Sequence, residues 1–154
     1  MSSLRTNDPY QTFFDVGEEY AVREVIGEGA YSVVRSVIHK PTGQVIAIKK
    51  INPFGYSMFC LRTMRELVSL RHFHHENIIS ILDVQRPRSY ENCQDIYLFR
   101  ELIEMDLHSV IHDQKLSNDH CQYLTSQVLR ALKAVHSANL LHCGLKPSNL
   151  LVNI

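Results

Sequence analysis

Between Glu19 and His39 the chain reads EYAVREVIGEGAYSVVRSVIH, with β-branched and aromatic residues on both sides of Gly27-Glu28-Gly29. That pattern predicts a strand, a tight glycine turn and a second strand. HKPTGQ (39–44) is a turn signal through Pro41 and Gly43, and VIAIKKI (45–51) follows as a third strand. Residues 20–51 therefore predict an antiparallel meander of short strands. NPFGYS (52–57) breaks it, and MFCLRTMRELVSLRHF then carries Leu61, Met64, Leu67 and Val68 at helical spacing. NIISILDVQ (77–85) and DIYLFRELI (95–103) predict two further strands around the polar loop RPRSYENCQ.

After residue 104 the periodicity changes from two to about 3.6. LHSVIHDQ is a short helical segment, and LSNDHCQYLTSQVLRALKAVHSANLLH is a long one with Ser117 as its expected N-cap. Leu124, Val128, Ala131, Leu132 and Val135 recur on one face of it. Five strands with one inserted helix, then helices, make an α+β arrangement. The organisation expected is a flexible arm over 1–19, a mostly β unit over 20–103, and a helical part over 104–154.

Composition narrows the function classes. The chain has 154 residues, 45% of them apolar and 21% charged, with 16 basic and 16 acidic side chains. The formal net charge is zero, which argues against nucleic acid and anionic membrane surfaces as partners. No apolar run approaches the roughly 20 residues of a membrane span. Cys60, Cys93, Cys121 and Cys143 form no C-x-x-C pair and read as free thiols of the cytoplasm or nucleus. The histidines of RHFHHEN have no converging Cys or carboxylate and read as connector, not metal site.

Four features bear on chemistry. IGEGAYSVV is a glycine segment that lets backbone N–H groups approach a phosphate, although G-x-G alone is equally an ordinary hairpin turn. A dinucleotide turn would lead into a helix, and here Val33-Val34 continue as a strand. In IAIK, strand alternation puts Ala47 and Lys49 on one face and Lys50 on the other. Glu66, on the following helix, is a carboxylate able to fix the Lys49 ammonium; taken singly, both are also ordinary surface charges. In LLHCGLKPSNLL, His142, Leu145, Lys146 and Asn149 have the spacing of the protein-kinase catalytic loop, H-R-D-L-x-x-x-N. Cys143 and Gly144 stand where that motif has Arg and Asp.

In this order, and with CLRTMREL, HENIISILDVQRPRSYE, KLSNDHCQYL and RALKAVHSANLLH, the chain resembles the MAP kinases, serine/threonine kinases of the extracellular-signal-regulated type. The stretches are similar to the fungal pheromone and filamentous-growth branch, and the resemblance runs from about Tyr20 to Ile154. It implies a protein-kinase-like fold, with a five-stranded antiparallel small lobe, one helix and the first helices of a large lobe. It also implies ATP between the lobes and Mg²⁺ beside it. Gly27, Gly29 and Ser32 would then form the phosphate flap, with Ile26, Val34 and Ala47 around the adenine and Leu151 beneath it. Lys49 and Glu66 would form the active-state ion pair. Arg100 falls at the gatekeeper position and would narrow the back of the pocket. Glu101 to Ile103 would be the hinge, with Asp106 near the ribose. Lys146 would contact the γ-phosphate and Asn149 would hold Mg²⁺.

Two departures follow from the same comparison. Gly144 lacks the acceptor that orients the substrate hydroxyl, and Cys143 lacks the guanidinium that pairs with a phosphorylated loop. The sequence given stops ahead of the D-F-G segment, whose aspartate holds Mg²⁺ in the family. A catalytically inactive chain is therefore expected, one in which Gly144→Asp alone restores nothing. His120 and Tyr123, with Val110 nearby, match positions lining a groove for docking peptides of MAP-kinase regulators or substrates; plain helix-surface positions are the alternative. A non-catalytic decoy or scaffold and a decayed gene fragment are the competing readings of the whole chain.

Overall fold

The computed structural model describes residues 14–87, 89, 91, 93–113 and 115–153. Residues 1–13 of the expected arm lie outside the described residues. The strands are β1 (Tyr20–Gly29), β2 (Ser32–His39), β3 (Gln44–Ile51), β4 (Ile81–Val84) and β5 (Ile96–Glu101), in one antiparallel sheet ordered β1-β2-β3-β5-β4. Helix α1 (Ser57–His72) lies between β3 and β4 in sequence. This is the α+β arrangement the periodicity predicts and the protein-kinase-like fold the resemblance implies.

Strand alternation gives the sheet two different faces. Val33, Val37, Ile46, Ile48, Tyr97 and Phe99 form a core cluster on one of them. Phe14 completes that cluster: it is buried, meets Tyr97 edge-on at 5.8 Å between centroids, and lies under the Arg35 guanidinium. The Asp15 N–H donates to the Tyr97 hydroxyl at 3.1 Å, and Gln85 Nε2 donates to the Asp15 carbonyl at 2.8 Å. Tyr20 packs on Phe99. The arm expected over 1–19 is thus corrected from Phe14 onward, because an aromatic ring there is buried in the core cluster of this sheet face. Burying such a ring is worth roughly 1.5–3 kcal/mol.

The opposite face carries Ala47, Lys49, Ile51, Leu98 and Arg100, by their cross-strand register. Helix α1 reaches it through Glu66, and the helix is turned differently from the sequence expectation. Leu61, Met64 and Val68 are exposed, whereas Thr63 is buried and Phe59, Cys60, Glu66 and Leu67 are half-buried. Helical periodicity identifies a stripe but not which stripe faces the sheet. Here the stripe through Thr63 and Glu66 wins, since it brings a carboxylate to the strand cations. The strand expected over 77–85 is shorter, starting at Ile81. The chain first turns, with the Ile78 N–H on the His75 carbonyl and the Asn77 N–H on His75 Nδ1.

After β5, residues 102–104 lead into a short strand β6 (Met105–Asp106), helix α2 (Leu107–Asp113) and helix α3 (Asn118–Ser137). A 3₁₀ turn (Pro147–Asn149) and β7 (Leu151–Val152) follow, and β7 pairs antiparallel with β6. Ser117 caps α3 as expected: its hydroxyl accepts from the His120 N–H at 3.2 Å, and the His120 ring accepts from the Ser117 N–H. Leu124, Val128, Ala131, Leu132 and Val135 make the half-buried face of α3. The helix ends into Asn139, whose φ of 56° is the left-handed conformation common just past a C-cap. Asn77 Nδ2 donates to Gln127 Oε1, and Arg130 lies 3.5 Å from Glu76, so the connector between α1 and β4 touches α3.

Candidate functional site

The site begins on β3. Val34 of β2 and Leu98 of β5 flank Lys49 in register, and Ala47 lies one step along the same face, opposite Arg100. Helix α1 delivers Glu66 to this face. Its carboxylate accepts from Lys49 Nζ through both oxygens, at 2.8 Å and 2.9 Å. Arg100 Nη2 donates to Glu66 Oε1 as well, so a single carboxylate is shared by two cations. The side chains of Lys49, Glu66 and Arg100 are 18%, 24% and 16% exposed, largely out of water. Lys50 points to the other face and pairs with Asp95 at 3.1 Å, as strand alternation requires.

Their protonation follows from this geometry. Burial pushes the Lys49 ammonium down from its ordinary range; Glu66 pulls it back up and Arg100 lowers it further. Burial raises the Glu66 carboxyl, but the Lys49 and Arg100 cations and their hydrogen bonds outweigh it, and the net shift is downward. The lowered Glu66 carboxyl is ionised at neutral pH, and its two hydrogen bonds to Nζ favour the ammonium form of Lys49. The constellation carries two positive charges and one negative.

Above it runs the β1–β2 hairpin. Gly27 and Gly29 lie within strand β1, opposite Val34 and Ser32, and the turn itself is Ala30-Tyr31. This corrects the expected turn at Gly27-Glu28-Gly29. Neither glycine has a positive φ, so the backbone does not need glycine for its conformation there. Their common property is an absent side chain. At Gly29 a Cβ would stand 2.9 Å from Ser32 Oγ, so Ser32 closes the space over it. Two irregularities in the β1–β2 register, between Val22 and Gly27, sit just before this stretch. The tip is anchored: Tyr31 stacks on Phe59 of α1 with centroids 4.3 Å apart, and its carbonyl accepts from the Asn52 N–H. Ile26 is exposed on the same strand.

Glu101 ends β5, and Ile103 lies half-buried in the irregular 102–104 segment. Asp106 pairs in register with Leu151, and the Leu107 N–H donates to the Leu150 carbonyl at 2.7 Å. The structure thus brings the HCGLKPSN stretch beside Asp106. The Asp106 carboxylate accepts from the Ser109 N–H at 2.8 Å, which caps α2 and is the main cause of its lowered pKa. Within the loop, the Gly144 N–H donates to His142 Nδ1 at 3.3 Å, and Asn149 Nδ2 donates to the Gly144 carbonyl at 2.7 Å. Lys146 precedes the 3₁₀ turn, with its carbonyl taking the Asn149 N–H. The left-handed residue here is Cys143, at φ 56°, and not Gly144.

His120 and Tyr123 sit on the first two turns of α3, where Tyr123 is exposed and the His120 ring serves the cap. Val110 is 2% exposed, so it is not a surface neighbour of theirs; its helix α2 packs on the 3₁₀ turn and on β6 and β7. Reading residues one at a time misses the Arg100–Glu66 bond. Strand alternation puts Arg100 on the face Lys49 shares, two residues beyond Leu98, but carries no distance to a helix-borne carboxylate. Among the described residues no helix is long and apolar enough to cross a membrane, and no group of three His, Cys, Asp or Glu could hold a metal ion.

A five-stranded antiparallel sheet with a helix-borne glutamate on a strand lysine, followed by helices and a K-P-S-N turn, defines the small-lobe architecture of a protein kinase. The sequence pattern of the protein kinase domain matches residues 20–154, and the chain belongs to that family. It is 66% identical over 140 residues to mitogen-activated protein kinase mpkB of Aspergillus fumigatus, covering 91% of this chain and 40% of that protein. It is 60% identical to a mitogen-activated protein kinase of Fusarium vanettenii, over 97% of this chain and 43% of that one. With mitogen-activated protein kinase spk1 of Schizosaccharomyces pombe the identity is 54%, over 99% and 41%. The chain spans about two fifths of the length of these curated relatives.

Proposed function

We propose that this chain is the nucleotide-binding part of a MAP-kinase-like protein, one that holds ATP but lacks the acceptor needed to activate a substrate hydroxyl. The observation that carries the reading is the bidentate Lys49–Glu66 pair on a largely buried sheet face. A cation fixed there, beneath a hairpin strand without side chains at Gly27 and Gly29, suits a triphosphate. Ala47, with its small side chain, and Ile26 and Val34 are the candidate adenine contacts. Glu101 and Ile103 supply the candidate backbone groups, and Leu151 the floor. Asp106 is the candidate ribose contact, since its cap bond occupies one carboxylate oxygen and a carboxylate accepts through both.

Asn149 fits a magnesium ion in donor chemistry, because its amide N–H is spent on Gly144 and its oxygen is the atom a hard cation takes. Bound Mg²⁺ would neutralise charge on the phosphates. The other steps belong to side chains of this chain. Lys49 holds the phosphates, Glu66 holds Lys49, and Lys146 offers a second cation from the loop. Proton acceptance is missing: Gly144 has no side chain, and the His142 ring nitrogen nearest it already accepts the Gly144 N–H.

Thermal unfolding with ATP and Mg²⁺ tests the claim. At nucleotide well above Kd the midpoint is expected to rise by about 3 °C or more. Lys49→Met should abolish most of that rise. No shift at millimolar nucleotide would reject the nucleotide site.

A second reading, a non-catalytic module for docking peptides of MAP-kinase regulators or substrates, draws on the exposed Tyr123 ring. Peptide binding that survives Tyr123→Ala unchanged would reject it. A cytoplasmic or nuclear setting suits both readings and the free thiols of Cys60, Cys93, Cys121 and Cys143.

A further inference from the structure

We propose that Arg100 is a positioning residue that holds Glu66, and with it helix α1, against the sheet independently of Lys49. Its functional meaning rests on the nucleotide-site reading above; its structural content does not.

Three observations support it. Arg100 lies opposite Ala47 on β3 and Ile81 on β4, inside the sheet, so its stem is fixed by two neighbouring strands. Its guanidinium donates to Glu66 Oε1, the same oxygen that Lys49 contacts at 2.8 Å. Lys49 and Arg100 share one sheet face at diagonal positions, and Glu66 is the anion between them. Two cations so placed repel each other, and the carboxylate makes the arrangement tolerable.

The chemistry of a single Lys–Glu pair contains a conflict. When the lysine turns to a phosphate, its glutamate loses much of its counter-charge while still largely buried, and an unpaired buried carboxylate is strongly unfavourable. Arg100 removes that conflict here. Glu66 keeps a charge-assisted bond to Arg100 whether Lys49 faces it or an anion. Arginine suits the task better than lysine, being always protonated and more weakly hydrated. One further N–H, on Arg100 Nε, is buried without a partner, so the guanidinium is not saturated by Glu66. With two cations against one anion, the face keeps one positive charge over, which favours an anionic ligand beside it.

Amide hydrogen exchange across residues 57–72 of the nucleotide-free full chain is the test, with wild type, Lys49→Met, Arg100→Gln, Arg100→Lys and the Lys49→Met/Arg100→Gln pair. Lys49→Met alone should leave α1 exchange within about threefold of wild type, and the double variant should exchange about tenfold faster or more. Arg100→Lys, which keeps the charge, should recover most of the protection lost in Arg100→Gln when each is set on the Lys49→Met background. The ¹³C titration midpoint of the Glu66 carboxyl should move up in Arg100→Gln, a readout that loss of packing alone would not produce. Full exposure of α1 in Lys49→Met, or an unmoved Glu66 midpoint in Arg100→Gln, would overturn the proposal. A double variant that fails to fold where both singles fold counts as the coupling expected. Because no nucleotide is present, failure of ATP binding leaves these outcomes readable.

Discussion

A Cβ built on Gly144 would meet Asn149 Nδ2 at 3.7 Å and the His142 carbonyl at 4.0 Å, both ordinary contacts, and Gly144 has no left-handed φ. The loop therefore has room for a side chain where the catalytic-loop pattern has aspartate. Gly144→Ala is expected to stabilise the chain by about 0.5 kcal/mol, through lower entropy of the unfolded state. Gly144→Asp should fold with an unaltered far-ultraviolet spectrum, and urea unfolding checks both. Glu66 makes a second prediction at this scale. Its folded pKa is below its unfolded value of about 4.3, so its contribution is present above that pH. It is lost as pH falls through the folded pKa. Melting temperatures between pH 6 and pH 2.5, at about 0.5-unit steps, should fall less steeply in Glu66→Gln than in wild type. A parallel acid limb would mean that Glu66 carries no linked proton. The residue types of this site were legible in the sequence: Lys49, Glu66 and Ala47 follow from order and strand alternation. The Arg100 bond was not, because sequence spacing carries no distance between a β5 side chain and a helix.

At the scale of elements, α1 shows why periodicity alone is insufficient. Its sequence offers an apolar stripe through Leu61, Met64 and Val68, and the structure leaves that stripe in solvent. The face turned inward carries Thr63, 1% exposed, with its hydroxyl oxygen buried and unpartnered. A buried hydroxyl without a hydrogen bond is unfavourable, and valine has nearly the same shape. Thr63→Val is expected to raise stability by about 1 kcal/mol, measured by chemical denaturation. A loss instead would show that the hydroxyl is satisfied, for instance by water. Helix α3 was readable because two signals agreed: Ser117 at the cap and a five-residue apolar face. The role of His120 as the reciprocal member of the cap was missed, since histidine is an uncommon residue at that position. The β1–β2 hairpin was placed correctly as a unit, but its turn falls at Ala30-Tyr31. Nothing in Ala-Tyr is a turn signal, and the stack of Tyr31 on Phe59 is a tertiary contact.

For the molecule as a whole, one face of the sheet is well covered and the helices are not. One face of the sheet is packed by Phe14, Val16 and Tyr20, and α1 reaches the other through Glu66. No residue of α3 is fully buried, and Tyr123 and Leu129 are exposed on it. Leu61 and Met64 are exposed on α1, and Leu141 is 76% exposed in the loop before Gly144. Apolar side chains gathered on two helices and a loop favour association in water, since each is worth covering at about 25 cal/mol per Å². The net charge of zero adds no repulsion between copies. The purified chain is therefore expected to self-associate, with a sedimentation-average mass that climbs over roughly 1–100 μM. Leu61→Glu combined with Met64→Glu should lower that mass at every concentration and leave the ATP-induced thermal shift intact, because neither side chain faces Lys49. Leu129→Glu should act additively if α3 forms a separate contact, and not at all beyond the first pair if α1 carries the association alone. A strictly monomeric chain across the whole range would show that these side chains cover one another in solution. The exposed positions would then say nothing about partners.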